Sequence, residues 1–140
     1  PKKESFFQSI DKYIDKNNWS IFVSMIDQKP IAAVLLFYFN NTVEYFTPVI
    51  LEEYRKTQAL SLAIYEGMLD AITMGYKNWN WGGTWLTQGG VYDFKKKWGT
   101  SEYRYYYYTK LFNEEIYNYD KNFLLSNYQY FYTIPFDKIN

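Results

Sequence analysis

The stretch 78–100, NWNWGGTWLTQGGVYDFKKKWGT, gathers the residues of this chain best suited to chemistry. Gly82 and Gly83 let a backbone approach a substrate closely, or they simply turn the chain, and both readings stand. Lys95, Lys96 and Lys97 read on composition alone as the solvated face and last turn of a short helix, where cations suit the dipole. Trp81 and Trp85 can wall a binding site or pack in a core. Tyr92 within the stretch and Glu44 outside it, on an alternating segment, can move protons, although a packed tyrosine and an exposed strand glutamate explain both more simply. Arg55 and Lys56 fall near the start of a helical pattern, an unusual place for cations, which suits contact with an anion.

The chain has no cysteine and no histidine. Thiolate nucleophiles, imidazole bases, disulfides and zinc-thiolate sites are therefore excluded, and no metal is expected. Its 15 basic residues balance 15 acidic ones, without the excess of a general nucleic-acid binder. At 140 residues, 48% of them hydrophobic, the chain can bury one core. The 17 tyrosines and 11 phenylalanines read as core and interface filler before stacking platforms. No apolar run reaches the ~18 residues of a membrane span and PKKESFF lacks a signal-peptide centre, so a cytoplasmic protein is expected. The opening on Pro1, without an initiator methionine, suggests a piece of a longer protein.

Several elements must position these residues. ESFFQSIDKYIDKN places Phe6, Ile10, Tyr13 and Ile14 at helical spacing. Alternation then sets Trp19, Ile21, Val23 and Met25 on one side of a strand, with Ser20 and Ser24 on the other. Asp27–Pro30 reads as a turn, IAAVLLFYF as a buried strand, Asn40-Asn41 as a hairpin turn and TVEYFTPV as a third strand. Leu60, Ile64, Gly67, Met68 and Ala71 form a helical stripe that Gly75 stops. KNWNW resumes as a strand that can lie parallel to the third, since a long helix separates them. A short helix over 90–98 capped by Gly99, a strand over SEYRYYYYT and a tail ambiguous between helix and strand complete the order. It predicts one α+β domain over 1–140: a mixed, mostly antiparallel sheet with helices on its faces.

That order, with Trp79, Asn80, Trp81, Gly82 and Gly83 followed by Gly90, Val91, Tyr92, Phe94, Lys95, Trp98 and Gly99, resembles the GNAT-type acyltransferases. The branch is the Fem-type and BioF2-like one, which contains peptidoglycan-bridge aminoacyl transferases. The resemblance spans roughly 19–110. It implies an α/β/α arrangement whose central parallel strands splay, here between 45–49 and 79–81, with Pro48 marking a break in the pairing. It also implies transfer of an acyl or aminoacyl group from acyl-CoA or aminoacyl-tRNA to an amine, with cell-wall precursors as common acceptors and tRNA and a second GNAT domain as partners.

By the same resemblance Lys95 lies near the reacting groups, Phe94 positions substrate beside it, and Arg55 and Lys56 meet the donor's phosphates. Asn80 stands where the family pattern often has an acid. PVILEEYRKTQALS lacks the glycines of a pyrophosphate loop, which leaves the donor open. A second reading, a non-catalytic scaffold or carbohydrate-binding module of the same fold, stands beside the first.

Overall fold

The computed structural model describes residues 2–84, 88–128, 131 and 133–139, which form two compact units, 1–98 and 99–140. In the first unit, helix α1 (Glu4–Tyr13) precedes strands β1 (Trp19–Ile26), β2 (Lys29–Phe39) and β3 (Thr42–Ile50). Helix α2 (Ala59–Thr73), strand β4 (Asn78–Asn80) and helix α3 (Gly89–Lys96) follow. The sheet order is β1-β2-β3-β4, with β1–β2 and β2–β3 antiparallel and β3–β4 parallel.

Local chemistry accounts for the meander. Asp27 and Gln28 both take left-handed backbone in a two-residue loop, at φ 47° and 66°, and Asn40 does so at 52°; short polar side chains tolerate these conformations best. The run from Ile31 to Tyr38 is buried or half-buried throughout because β2 lies inside the sheet with a layer on each side. On one face Val34, Leu36 and Tyr38 of β2 join Val43 and Tyr45 of β3 under Ala63, Ile64 and Ala71 of α2. On the other, Phe46 stacks with Phe6 of α1 at 5.9 Å and meets Phe37 edge-on at 5.3 Å. The expected mixed sheet with helices on both faces is the fold observed.

Helix α2 sits close to the sheet because Gly67 gives it no side chain there. A Cβ at that position would stand 2.8 Å from Leu36 Cδ1 and 3.3 Å from Phe22. The buried Ser24 hydroxyl, donating to the Ala59 carbonyl at 2.7 Å, ties the start of the same helix to β1. The helix ends as expected at Gly75, where the Tyr76 amide bonds to the Ala71 carbonyl and the Gly75 amide to that of Ile72.

Strand β1 alternates as expected, and of its two sides the one carrying Phe22 and Ser24 faces the main core, while Ile21, Val23 and Met25 are 47%, 46% and 56% exposed. Register decides this, since Phe22 lies opposite core-facing Val34, and a one-residue slip would have reversed it. One expectation needs correction, the strand over SEYRYYYYT: residues 101–110 carry no regular element. Tyrosines at alternate positions are exposed alike, Tyr103 at 84% and Tyr108 at 95%, so among the described residues no ladder partner or buried face rewards the extended pattern. Within this second unit, the tail resolves to a 3-10 turn (Glu114–Asn118) and helix α4 (Lys121–Tyr128).

Substituting Gly67→Ala gains about 1 kcal/mol of helix propensity but presses a methyl onto the wholly buried Leu36, an overpacking that costs about 1–3 kcal/mol. We expect a net loss of about 1 kcal/mol in urea denaturation, and an unchanged or higher midpoint would show that the sheet can give way.

Candidate active site

Strands β3 and β4 are paired only over Thr42–Asn78, Val43–Trp79 and Glu44–Asn80. Past that last rung β4 ends while β3 runs on to Ile50, which opens the sheet where the sequence placed the splay. On its β2 side, β3 carries a bulge in the same region: Leu35 lies opposite Phe46 and Ala33 opposite Val49, so Thr47 and Pro48 face a single residue of β2. Thr47 takes φ 44°, a conformation β-branched residues rarely adopt, so strain accompanies the bulge. Pro48 was legible as a break; the strained Thr47 beside it was not.

The final rung carries the polar centre. The Asn80 Nδ2 donates to Glu44 Oε2 at 2.6 Å, and the Gly82 amide donates to Asn80 Oδ1 at 3.0 Å. Lys95 reaches the same loop from α3, donating to Thr84 Oγ1 at 2.9 Å, the Gly83 carbonyl at 3.1 Å and, more weakly, the Gly82 carbonyl at 3.4 Å. Desolvation raises the Glu44 pKa above the usual glutamate value, against the lowering effects of the Asn80 hydrogen bond and the Lys95 charge. Desolvation likewise lowers the Lys95 pKa, and Glu44 opposes that shift. A carboxylate readier to hold a proton and a lysine readier to release one thus flank the opening.

Aromatic packing fixes where Lys95 can be. Trp81 contacts Tyr45 at 4.9 Å, Trp98 at 5.5 Å, Trp79 at 5.9 Å and Phe94 at 6.3 Å between ring centroids. Phe94 and Trp98, one helical turn apart, press α3 onto that cluster and leave Lys95 beside the glycine loop. Trp81 and Phe94 therefore use their rings in docking the helix.

Of the sequence-derived candidates, the structure brings together Glu44, Asn80, Gly82, Gly83 and Lys95. Tyr92 lies elsewhere on α3, where its hydroxyl accepts from Lys96 at 3.1 Å. Arg55 and Lys56 are exposed in a 3-10 turn (Glu52–Thr57) that links β3 to the start of α2. Trp85 lies outside the described residues. Thr84, a partner of Lys95, was not legible, because a hydroxyl in a loop gives no periodic or motif signal.

The FemAB family model matches residues 2–106. The chain belongs to the FemAB family. That membership, on this fold, makes it an acyltransferase acting on an amine. No curated protein matches this FemAB chain by sequence. Among solved structures it is similar to an aminoglycoside acetyltransferase, AAC(6')-Iy, in complex with a bisubstrate analogue of CoA, with TM-score 0.64, 14% identity and coverage of 79% of this chain and 81% of that one. A second is AAC(6')-IG from Acinetobacter haemolyticus, with TM-score 0.63, 13% identity and coverage of 81% and 84%. A third, a putative acetyltransferase from Agrobacterium tumefaciens, has TM-score 0.63, 14% identity and coverage of 79% and 81%. These likenesses establish the acetyltransferase-type fold. No helix among the described residues is long and apolar enough to cross a membrane.

Gly82 holds φ 67° where the loop leaves β4, and among the described residues a Cβ there would meet only Glu44 Oε1, at 3.7 Å. Backbone conformation, not space, demands glycine. Gly82→Ala should cost about 1–2 kcal/mol in a melting or denaturant experiment, whereas Gly82→Asn, which tolerates left-handed backbone, should cost less; equal losses would contradict this account.

Proposed function

We propose that this FemAB domain transfers an acyl group from an acyl-CoA thioester to a primary amine at the opening between β3 and β4, with Glu44 as proton acceptor. The observation that carries the reading is the half-buried Glu44 carboxylate at the last rung of the splayed pair, facing a lysine-held glycine loop. In the reaction the neutral amine nitrogen attacks the thioester carbonyl, forming the C–N bond while the carbonyl electrons move to oxygen. Collapse of the oxyanion breaks the C–S bond, the thiolate leaves, and the nitrogen's extra proton passes to Glu44. A carboxylate with a raised pKa suits this step, because it binds the proton more readily than an ordinary glutamate.

Lys95 holds the glycine loop with its two shorter hydrogen bonds, and its longer bond to Gly82 is the one a developing oxyanion would replace. Beyond Glu44 the β4 side of β3 has no strand partner among the described residues, which leaves main-chain groups to orient the donor, and Gly82 and Gly83 let the substrate approach. Arg55 and Lys56, exposed just before α2, suit the donor's phosphates. The CoA-bound acetyltransferases of similar fold favour a CoA thioester as donor over aminoacyl-tRNA. Aminoglycosides bound by such proteins favour an amino sugar or a similarly polar amine as acceptor, and FemAB membership favours a cell-envelope precursor made in the cytoplasm. A second GNAT domain in the full protein would complete the acceptor side.

The test is transfer of a labelled acetyl group from acetyl-CoA, or of a labelled amino acid from charged tRNA, to a panel of amino sugars and peptide amines. Glu44→Gln should lower kcat/KM by about 100-fold or more, and Lys95→Ala should lower kcat with its melting temperature retained. Since Glu44 acts ionised and its pKa is raised, kcat/KM should climb with pH along an acidic limb above the ordinary glutamate range, and that limb should vanish in Glu44→Gln. An unaltered profile in that variant would remove Glu44 from the reaction, and tRNA-only transfer would reassign the donor.

A further inference from the structure

The Asn80 side chain is engaged on both sides by the protein. Nδ2 donates to Glu44 Oε2 at 2.6 Å and Oδ1 accepts the Gly82 amide at 3.0 Å. A carboxamide is the side chain that offers a donor and an acceptor on one planar group, and its orientation here follows from chemistry. Turning it over would set oxygen against carboxylate and N–H against N–H. Asn80 and Glu44 are also the paired residues of the final β3–β4 rung, so the contact joins the two strands where they part.

The consequence falls on the other carboxylate oxygen. Among the described residues no hydrogen bond reaches Glu44 Oε1, and a Cβ on Gly82 would stand 3.7 Å from it, so glycine keeps a side chain off this oxygen. The same Gly82 presents its amide to Asn80 and its carbonyl to Lys95. One residue thus links, through its two flanking peptide groups, the side chain holding the carboxylate to the helix carrying the cation.

We propose that Asn80 is the positioning residue of this site, a clasp that fixes one oxygen of Glu44 at the last rung and leaves the other free of hydrogen bonds for the incoming amine. This rests on the reading of Glu44 as proton acceptor. Asparagine is needed because an aspartate would set two carboxylates within hydrogen-bonding distance, and they would be forced to share a proton. Alanine would leave Glu44 in its half-buried place with only the Lys95 charge to favour ionisation.

The test uses the full chain with 13C-labelled glutamate and aspartate carboxyls, the Glu44 signal being assigned by its loss in Glu44→Gln. In Asn80→Ala the Glu44 midpoint should rise by about one pH unit, the size expected for losing a hydrogen bond to a charged group. In Asn80→Asp, which keeps the size and can still accept the Gly82 amide, residues 44 and 80 should titrate as a coupled pair in two separated steps. That variant decides the matter if Asn80→Ala fails to fold. The acidic limb of kcat/KM should follow the same order. A Glu44 midpoint unchanged in folded Asn80→Ala and a single-step titration in Asn80→Asp overturn the clasp. If titrations shift as described in a protein that transfers no acyl group, the clasp stands and the acyl-transfer reading falls.

Discussion

The brevity of the β3–β4 pairing is the constraint from which the site follows. Three paired positions are enough to set β4 parallel to β3 and to align Glu44 with Asn80. The chain then turns out of the sheet at Gly82, whose left-handed backbone is compatible with neither strand nor helix. Longer pairing would have satisfied the β3 main chain and closed the opening. The Thr47–Pro48 bulge acts to the same end on the β2 side by bending β3 where it loses its β4 neighbour. Strain at Thr47 is held by the β2 pairing on either side of it, Phe46 with Leu35 and Val49 with Ala33, in keeping with the way functional sites retain unfavourable backbone.

The second requirement is that α3 return to this opening, which the aromatic cluster ensures. Trp81 directly follows the last strand residue and forms the floor on which Phe94 and Trp98 rest. Apolar burial at two positions of one helical turn dictates the direction of the residue between them, and Lys95 is thereby aimed at the glycine loop. Trp79, Trp81 and Trp98 thus hold in register the polar groups around the opening.

Electrostatics at the site work against stability. Glu44 and Lys95 are both partly desolvated, and both pKa values move towards neutrality of the side chain. Each charge offsets part of the other's penalty. Because Glu44 binds its proton more tightly in the folded state, its favourable contribution is present below the ordinary carboxylate pKa. It is lost as pH rises through the raised value. At neutral pH the fold therefore tolerates an ionised carboxylate at a cost, a pattern expected where side chains are placed for chemistry.

Much of this was legible in the sequence. Binary patterning identified α1, the three-strand meander, α2 and its glycine stop, because hydrophobic period and turn residues act locally. The long apolar helix between two strands implied their parallel pairing, and the glycine-aromatic-FK pattern marked the family and Lys95. Patterning left open what depends on a partner, the inward face of β1, which is chosen by its register with β2, and it failed over 101–110, where alternating tyrosines find no ladder among the described residues. The sequence by itself determined which groups are available and excluded imidazole and thiol, since composition bounds chemistry absolutely. Only the tertiary structure decided that Asn80 spends both ends of its carboxamide on Glu44 and Gly82, and that Lys95 meets Thr84. Contacts between residues 36 positions apart arise from strand pairing and helix docking, which no local spacing encodes.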